Sequence, residues 1–275
     1  MCCAAKELLQ KGYRVGAFAN YEASALKNIM GFSDLKEAAQ ASQTIVFGIP
    51  FSKNGAVYTP LCDCSITIDN MADCVLPGHH IIAGMPGDFA LMCTKKGAIC
   101  SDYGSREDFC TLNAIPTAEA IISILSEKLP VTLWGSNILI AGYGRIGKIL
   151  SQRLNALGAN ITVSARKKSD FALASAYGIK CINTGNIADY GQDYDIIINT
   201  IPAKIFSDKI FMSLKKDCFI ADVSAYPGFV SEKDAGKYGI KVTGAFSLPG
   251  KTAPVTAGKI IADVVLNIKD ELKGD

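Results

Sequence analysis

Six residues near the middle of the chain carry the most specific chemistry: Gly142-Tyr143-Gly144-Arg145-Ile146-Gly147. This G-x-G-x-x-G spacing suits a turn that lifts backbone N–H groups toward a pyrophosphate. Gly142 permits the tight turn, Gly144 leaves room for phosphate, and Gly147 lets the next helix pack closely on its strand. A helix starting there offers free N–H groups and a dipole to an anion. Arg145 adds a cation that either contacts phosphate or is solvated. Further on, Ser164-Ala165-Arg166-Lys167-Lys168 occupies the place where an NAD site usually has Asp or Glu. A hydroxyl and cations suit a ribose 2′-phosphate instead. The pattern therefore predicts NADP over NAD, with NAD possible and with Ser164, Arg166 and Lys167 as contacts. Three loops face the nicotinamide end in this reading: Asn199-Thr200-Ile201-Pro202, Ser224-Ala225-Tyr226-Pro227-Gly228, and Leu248 through Gly258.

These residues need a scaffold, and the flanking pattern supplies one. Asn137–Ala141 is a short apolar run, followed by the glycine turn and by Ile149, Leu150, Leu154 and Leu157 at helical spacing. Ile161–Ala165 reads as a second strand. Strand, glycine turn, helix and strand in this order form the context the fingerprint requires. Ile179–Ile182, Asp195–Pro202, Cys218–Ser224 and Lys241–Ala245 continue the alternation, which implies a parallel sheet covered on both faces. An echo precedes it: Glu7–Val15 resembles Arg153–Ile161, and Thr44–Pro50 resembles Ile196–Pro202. Ile81–Gly84 and Gly97–Cys100 read as later strands of that first sheet.

The expected fold is α/β, with two Rossmann-like doubly wound parallel-sheet domains joined by helices across a cleft. Residues 1–112 would form a flavodoxin- or Rossmann-like substrate domain whose first strand is missing. A linking helix at 113–130 would begin with Pro116 in its first turn. The cofactor domain would span 131–250, and a helix at 251–275 would pack back toward the first domain.

General acid–base chemistry is poorly marked. The cofactor half has no His, which argues against lactate-type chemistry. His79 and His80 read as surface residues, and the catalytic residues stay unassigned. Ser52, Asn113, Thr117, Glu119 and Ser224 are candidate substrate contacts, and each could equally be a helix cap or loop hydrogen-bonder. The ten cysteines contain no C-x-x-C pair; they read as small buried apolar groups, with no metal site. A net charge of +2 over 275 residues gives no basic footprint for nucleic acid. No uninterrupted apolar run reaches membrane-spanning length. The opening Met1-Cys2-Cys3-Ala4-Ala5-Lys6 lacks the basic region and long apolar stretch of a signal peptide, so none is expected. A cytoplasmic protein is expected.

Several motifs together narrow the reading. Asn113-Ala-Ile-Pro-Thr-Ala-Glu119, the glycine turn, Leu157-Gly-Ala-Asn160 with Ser164-Ala-Arg166, Ile198-Asn-Thr-Ile-Pro202, and Leu248-Pro-Gly250 with Ala253-Pro254 and Thr256-Ala-Gly258 occur in this order. The combination resembles the dipicolinate synthase A-subunit family of endospore-forming bacteria, most strongly from residue 113 onward. The resemblance implies a nicotinamide-dependent oxidoreductase that works during sporulation with a flavoprotein-like partner, the synthase's B-type subunit. The pair would oxidise a dihydro- or hydroxytetrahydrodipicolinate precursor to pyridine-2,6-dicarboxylate. Such a small dicarboxylate substrate needs cations or N–H donors; Lys53, Arg106 and the helix start at Asn113–Thr117 are candidates. Family members begin with a strand and glycine turn, whereas this chain begins inside the following helix. Two other readings remain open: a shikimate- or alanine-dehydrogenase-like enzyme for another small carboxylate, and a non-catalytic NADP-binding regulatory subunit. A homo-oligomer is possible.

Overall fold

The computed structural model describes residues 1–225 and 228–274. It divides into two compact units, one of residues 1–113 with 253–275, the other of residues 114–252.

In the first unit β1 (Gly16–Phe18) pairs in parallel with β2 (Met30–Phe32). Three further parallel strands form a separate sheet, β3 (Thr44–Val46), then β6 (His80–Ala83) and β7 (Ile99–Asp102), with β6 in the middle. Between them in sequence, β4 (Ser52–Lys53) and β5 (Ala56–Val57) make a short antiparallel hairpin. Phe51 stacks on Phe89 at 4.4 Å between ring centroids, and Phe47 meets Phe51 edge-on at 5.0 Å. The C-terminal helix Pro254–Gly274 lies against the N-terminal helix Cys2–Gln10. A side chain at Gly258 would collide with Cys3, so only glycine allows that approach.

The second unit is one sheet of six parallel strands: β8 (Asn137–Ala141), β9 (Asn160–Ala165), β10 (Lys180–Asn183), β11 (Ile196–Asn199), β12 (Phe219–Asp222) and β13 (Lys241–Gly244). Their order across the sheet is β10-β9-β8-β11-β12-β13. Ile138, Leu139 and Ile140 of β8 and Ile197 and Ile198 of β11 are wholly buried, as strands covered on both faces must be. The strand order reverses between β8 and β11, so a crevice outside their carboxyl ends is the place where such sheets bind ligands.

The linking helix differs from the expectation. It runs from Glu107 to Lys128, with Pro116 inside it. Glu107 and Asp108 in its first turn complement the helix dipole. Pro116 removes one N–H from the ladder without ending the helix. This helix has the length and hydropathy of a membrane span, yet its Ala118, Ile121 and Leu125 are buried in the core of the second unit. Leu248–Thr252, expected as loop, is a short helix.

Two expectations about single residue types also change. His79 is buried, at 6% exposure, and its Nδ1 accepts from the Leu76 N–H at 3.1 Å. The turn before β6 folds back on that ring and draws it inside. Of the cysteines only Cys93 and Cys218 are fully buried free thiols, while Cys62 and Cys64 are joined in a disulfide.

Candidate functional site

The glycine turn lies at the carboxyl end of β8, beside the reversal of strand order. Gly142 has φ +103, a left-handed conformation that a side chain resists. A Cβ on Gly147 would collide with the Gly142 carbonyl, so that glycine sets how closely the helix Arg145–Ala156 approaches the turn. Gly144 differs: a Cβ there would meet nothing within 4 Å. Gly144 is also the N-cap of the helix and makes no side-chain cap. Open space and an uncapped helix start coincide at the position where a pyrophosphate would approach, so the local geometry fits a dinucleotide. The Tyr143 ring is buried in the core at 4% exposure and offers the turn only its backbone. Arg145 is exposed and Ile146 half-buried at the helix start.

Ser164 and Arg166 part company. Arg166 and Lys167 are exposed just past the end of β9. Ser164 is wholly buried. Its Oγ accepts from the Gly142 N–H and from Thr184 Oγ1, each at 3.3 Å. The structure thus places Ser164 beneath the turn, where it ties β9 to the glycine loop. The sheet is covered on both faces, so a polar residue within β9 turns inward and finds local partners.

The next two strand ends carry a buried polar cluster that motif spacing does not mark. Asn199 ends β11 and Asp222 ends β12, and the parallel register puts them side by side. Asn199 Nδ2 donates to Asp222 Oδ1 at 3.1 Å and to the Gly228 carbonyl at 3.0 Å, while its Oδ1 accepts from Ile201 N–H at 3.2 Å. Asp222 also accepts from Ser224 N–H, Ser224 Oγ and Val230 N–H. Ser224 is buried at 3% exposure and faces this carboxylate. Thr200 Oγ1 donates to the Ala141 carbonyl at 2.9 Å, tying this loop to the residue before the glycine turn. Ile201 is half-buried and Pro202 exposed. Tyr226 and Pro227 lie outside the described residues. The signal that could have found the cluster is a polar residue closing each of two consecutive apolar strands.

The candidate substrate residues are divided between the two units. Asn113 and Thr117 lie inside the helix, not at its start, so the backbone N–H groups there are taken up by the preceding turn. Thr117 is buried at 8% exposure. Glu119 is exposed and accepts from Arg153 Nη1 at 2.6 Å, joining two helices of the second unit. In the first unit Ser52 stands half-buried on the β4–β5 hairpin. Arg106 is already paired with two carboxylates: its Nη2 donates to Asp108 Oδ2 at 2.9 Å and to Glu271 Oε1 at 2.7 Å. That pairing, with the Phe109 N–H and Asn267 contributing, holds Asp108 well below the usual carboxylate range, at about 2. Lys53 is exposed, with its ammonium 5.8 Å from the centre of the Tyr58 ring.

No family model matches the chain. The A subunit of dipicolinate synthase from Bacillus subtilis (strain 168) is 35% identical over 170 residues. The chain resembles that A-type subunit. The matched stretch is 62% of this chain and 57% of that relative, little more than half its length. The crystal structure of the dipicolinate synthase A chain from Bacillus subtilis superposes with a TM-score of 0.87 at 25% identity, over 99% of this chain and 93% of that one. The transhydrogenase from Sinorhizobium meliloti shares the fold at a TM-score of 0.69 and 14% identity, over 99% of this chain and 89% of that one. The α/β architecture with parallel sheets is therefore shared with the dipicolinate synthase A chain and with the transhydrogenase.

Proposed function

We propose that the chain is an NADP-dependent oxidoreductase subunit of dipicolinate synthesis. It would oxidise a dihydrodipicolinate precursor, or a hydroxytetrahydrodipicolinate once that has lost water, to pyridine-2,6-dicarboxylate, working with a flavoprotein-like second subunit in the cytoplasm of a sporulating cell. The observation that carries the reading is the glycine turn at the strand-order reversal, with open space at Gly144 above an uncapped helix start. The likeness to the dipicolinate synthase A-type subunit supports the substrate class.

Gly142 and Gly147 would hold the turn in shape while the helix N-terminus carries the pyrophosphate. Arg166 and Lys167 would pair with the 2′-phosphate, because a carboxylate is absent from that strand end. A nicotinamide bound there supplies the acceptor for two electrons. Aromatising a dihydropyridine removes a hydride from one ring carbon and a proton from a neighbouring ring atom. Formation of the aromatic ring drives the step, which reduces what a protein acid or base must contribute. The first unit would handle the substrate.

The test is cofactor reduction by the purified chain, with and without the second subunit. The proposal expects reduction with the dihydropyridine dicarboxylate and none with alanine or shikimate. Reduction with one of the latter alone would favour a different small-carboxylate enzyme. Cofactor binding without turnover on any of them, even with the partner present, would favour a regulatory role.

A further inference from the structure

We propose that Asn199 and Asp222 are positioning residues that set the loops at the nicotinamide half of the cofactor site. The inference rests on the proposed cofactor reading and deepens it. Both side chains are buried, at 0% and 1% exposure, at the carboxyl ends of β11 and β12. Each makes hydrogen bonds to loop backbone. Asn199 takes the Ile201 N–H on one side and gives to the Gly228 carbonyl on the other. Asp222 accepts the Ser224 N–H and, through Oδ2, the Val230 N–H at 2.6 Å. The Asn199–Asp222 hydrogen bond joins the two halves. One buried pair therefore fixes where both loops leave the sheet.

Gly228 gives independent support. A Cβ there would collide with the Ile201 carbonyl oxygen and with Ala203 N, so the two loops lie in direct backbone contact. Thr200, next to Asn199, donates to the Ala141 carbonyl at the base of the glycine turn. The path from pyrophosphate turn to distal loops is thus continuous: Ala141, Thr200, Asn199, Asp222, then Ser224. Four donors converge on Asp222, counting Asn199 Nδ2, Ser224 N–H, Ser224 Oγ and Val230 N–H. Every one of them needs an acceptor. An amide at position 222 would turn an NH2 toward at least one donor and break the cluster. An apolar core would have packed these strand ends more simply, since a buried polar network is favourable only when fully satisfied. The network is satisfied, and what it organises is the exit of two loops at the ligand crevice.

The experiment is calorimetric binding of NADP and of 2′,5′-ADP, the adenosine half alone, to the wild type and to Asp222→Asn, Asn199→Ala and Ser224→Ala. The inference expects NADP affinity to fall about tenfold or more in Asp222→Asn and Asn199→Ala, and less in Ser224→Ala. Affinity for 2′,5′-ADP should stay within about twofold, because Arg166 and the glycine turn are untouched. Retained 2′,5′-ADP binding also shows that a variant is folded. Equal loss of both ligands, or loss of neither, overturns the inference and leaves a purely structural network. A wild type that binds neither ligand overturns the cofactor reading and the inference with it.

Discussion

Arg153 and Glu119 are joined side chain to side chain at 2.6 Å, across two helices of one unit. Glu119 is thereby a strut between the linking helix and the glycine-turn helix. The Glu119 side chain is 62% exposed, and exposed pairs contribute about 0.2–1 kcal/mol. Glu119→Gln should lower the melting temperature slightly and leave NADP affinity and turnover per folded molecule unchanged. A fall in turnover at unchanged melting temperature would return Glu119 to the substrate.

The glycines of the turn should separate ligand from fold. Gly144→Val places its side chain in open space, so the circular dichroism spectrum should match wild type while cofactor binding disappears. Gly147→Val would drive a side chain into the Gly142 carbonyl and should destabilise the unit itself. Normal cofactor affinity in Gly144→Val would place the dinucleotide elsewhere.

Cofactor choice should turn on Arg166. Replacing it with Asp sets a carboxylate against the 2′-phosphate and offers an acceptor to a 2′-OH. A hydrogen bond to a charged group contributes about 1.5–3 kcal/mol, so NADP affinity should drop roughly tenfold to a hundredfold while NAD gains. Ser164→Ala should instead cost stability, because its hydroxyl lies under the turn. Equal wild-type affinities for NADP and NAD would contradict the assignment.

Stability should fall in mild acid. Burial holds both His79 and His80 below the usual imidazole range, and Lys269 adds to the effect at His80. The unfolded chain then binds more protons than the folded one, so stability rises with pH through this window. It should be full above about pH 6.5 and decline as pH falls from there. His79 also needs an unprotonated Nδ1 to accept from Leu76. Chemical denaturation at several pH values should show this slope, flattened in His79→Gln; an unchanged slope would assign the effect to other groups.

Much of the second unit was legible in the sequence because its strands are buried on both faces and read as apolar runs around a glycine turn. Asp195–Pro202 and Cys218–Ser224 bracket the observed β11 and β12. The helix start was not legible, because Pro116 reads as a first-turn signal although a helix can carry it inside. Ser164 reads as a strand-end contact, yet its inward direction depends on a cover for both faces that local sequence does not state. The Asn199–Asp222 pair is set by parallel register between strands more than twenty residues apart, which spacing along the chain does not reveal. Arg106 looks like a free cation in the sequence, and its capture by Glu271 joins residues from opposite ends of the first unit.

The most direct measurement of the central claim is the stoichiometry of one reaction. The purified chain, its flavoprotein-like partner, NADP and the dihydropyridine dicarboxylate are mixed, and NADPH and pyridine-2,6-dicarboxylate are quantified together. The account predicts equal amounts of the two products with wild type and neither above the uncatalysed background with Gly144→Val. Pyridine-2,6-dicarboxylate formed at the same enzyme-dependent rate without nicotinamide reduction, or undiminished in Gly144→Val, would contradict it.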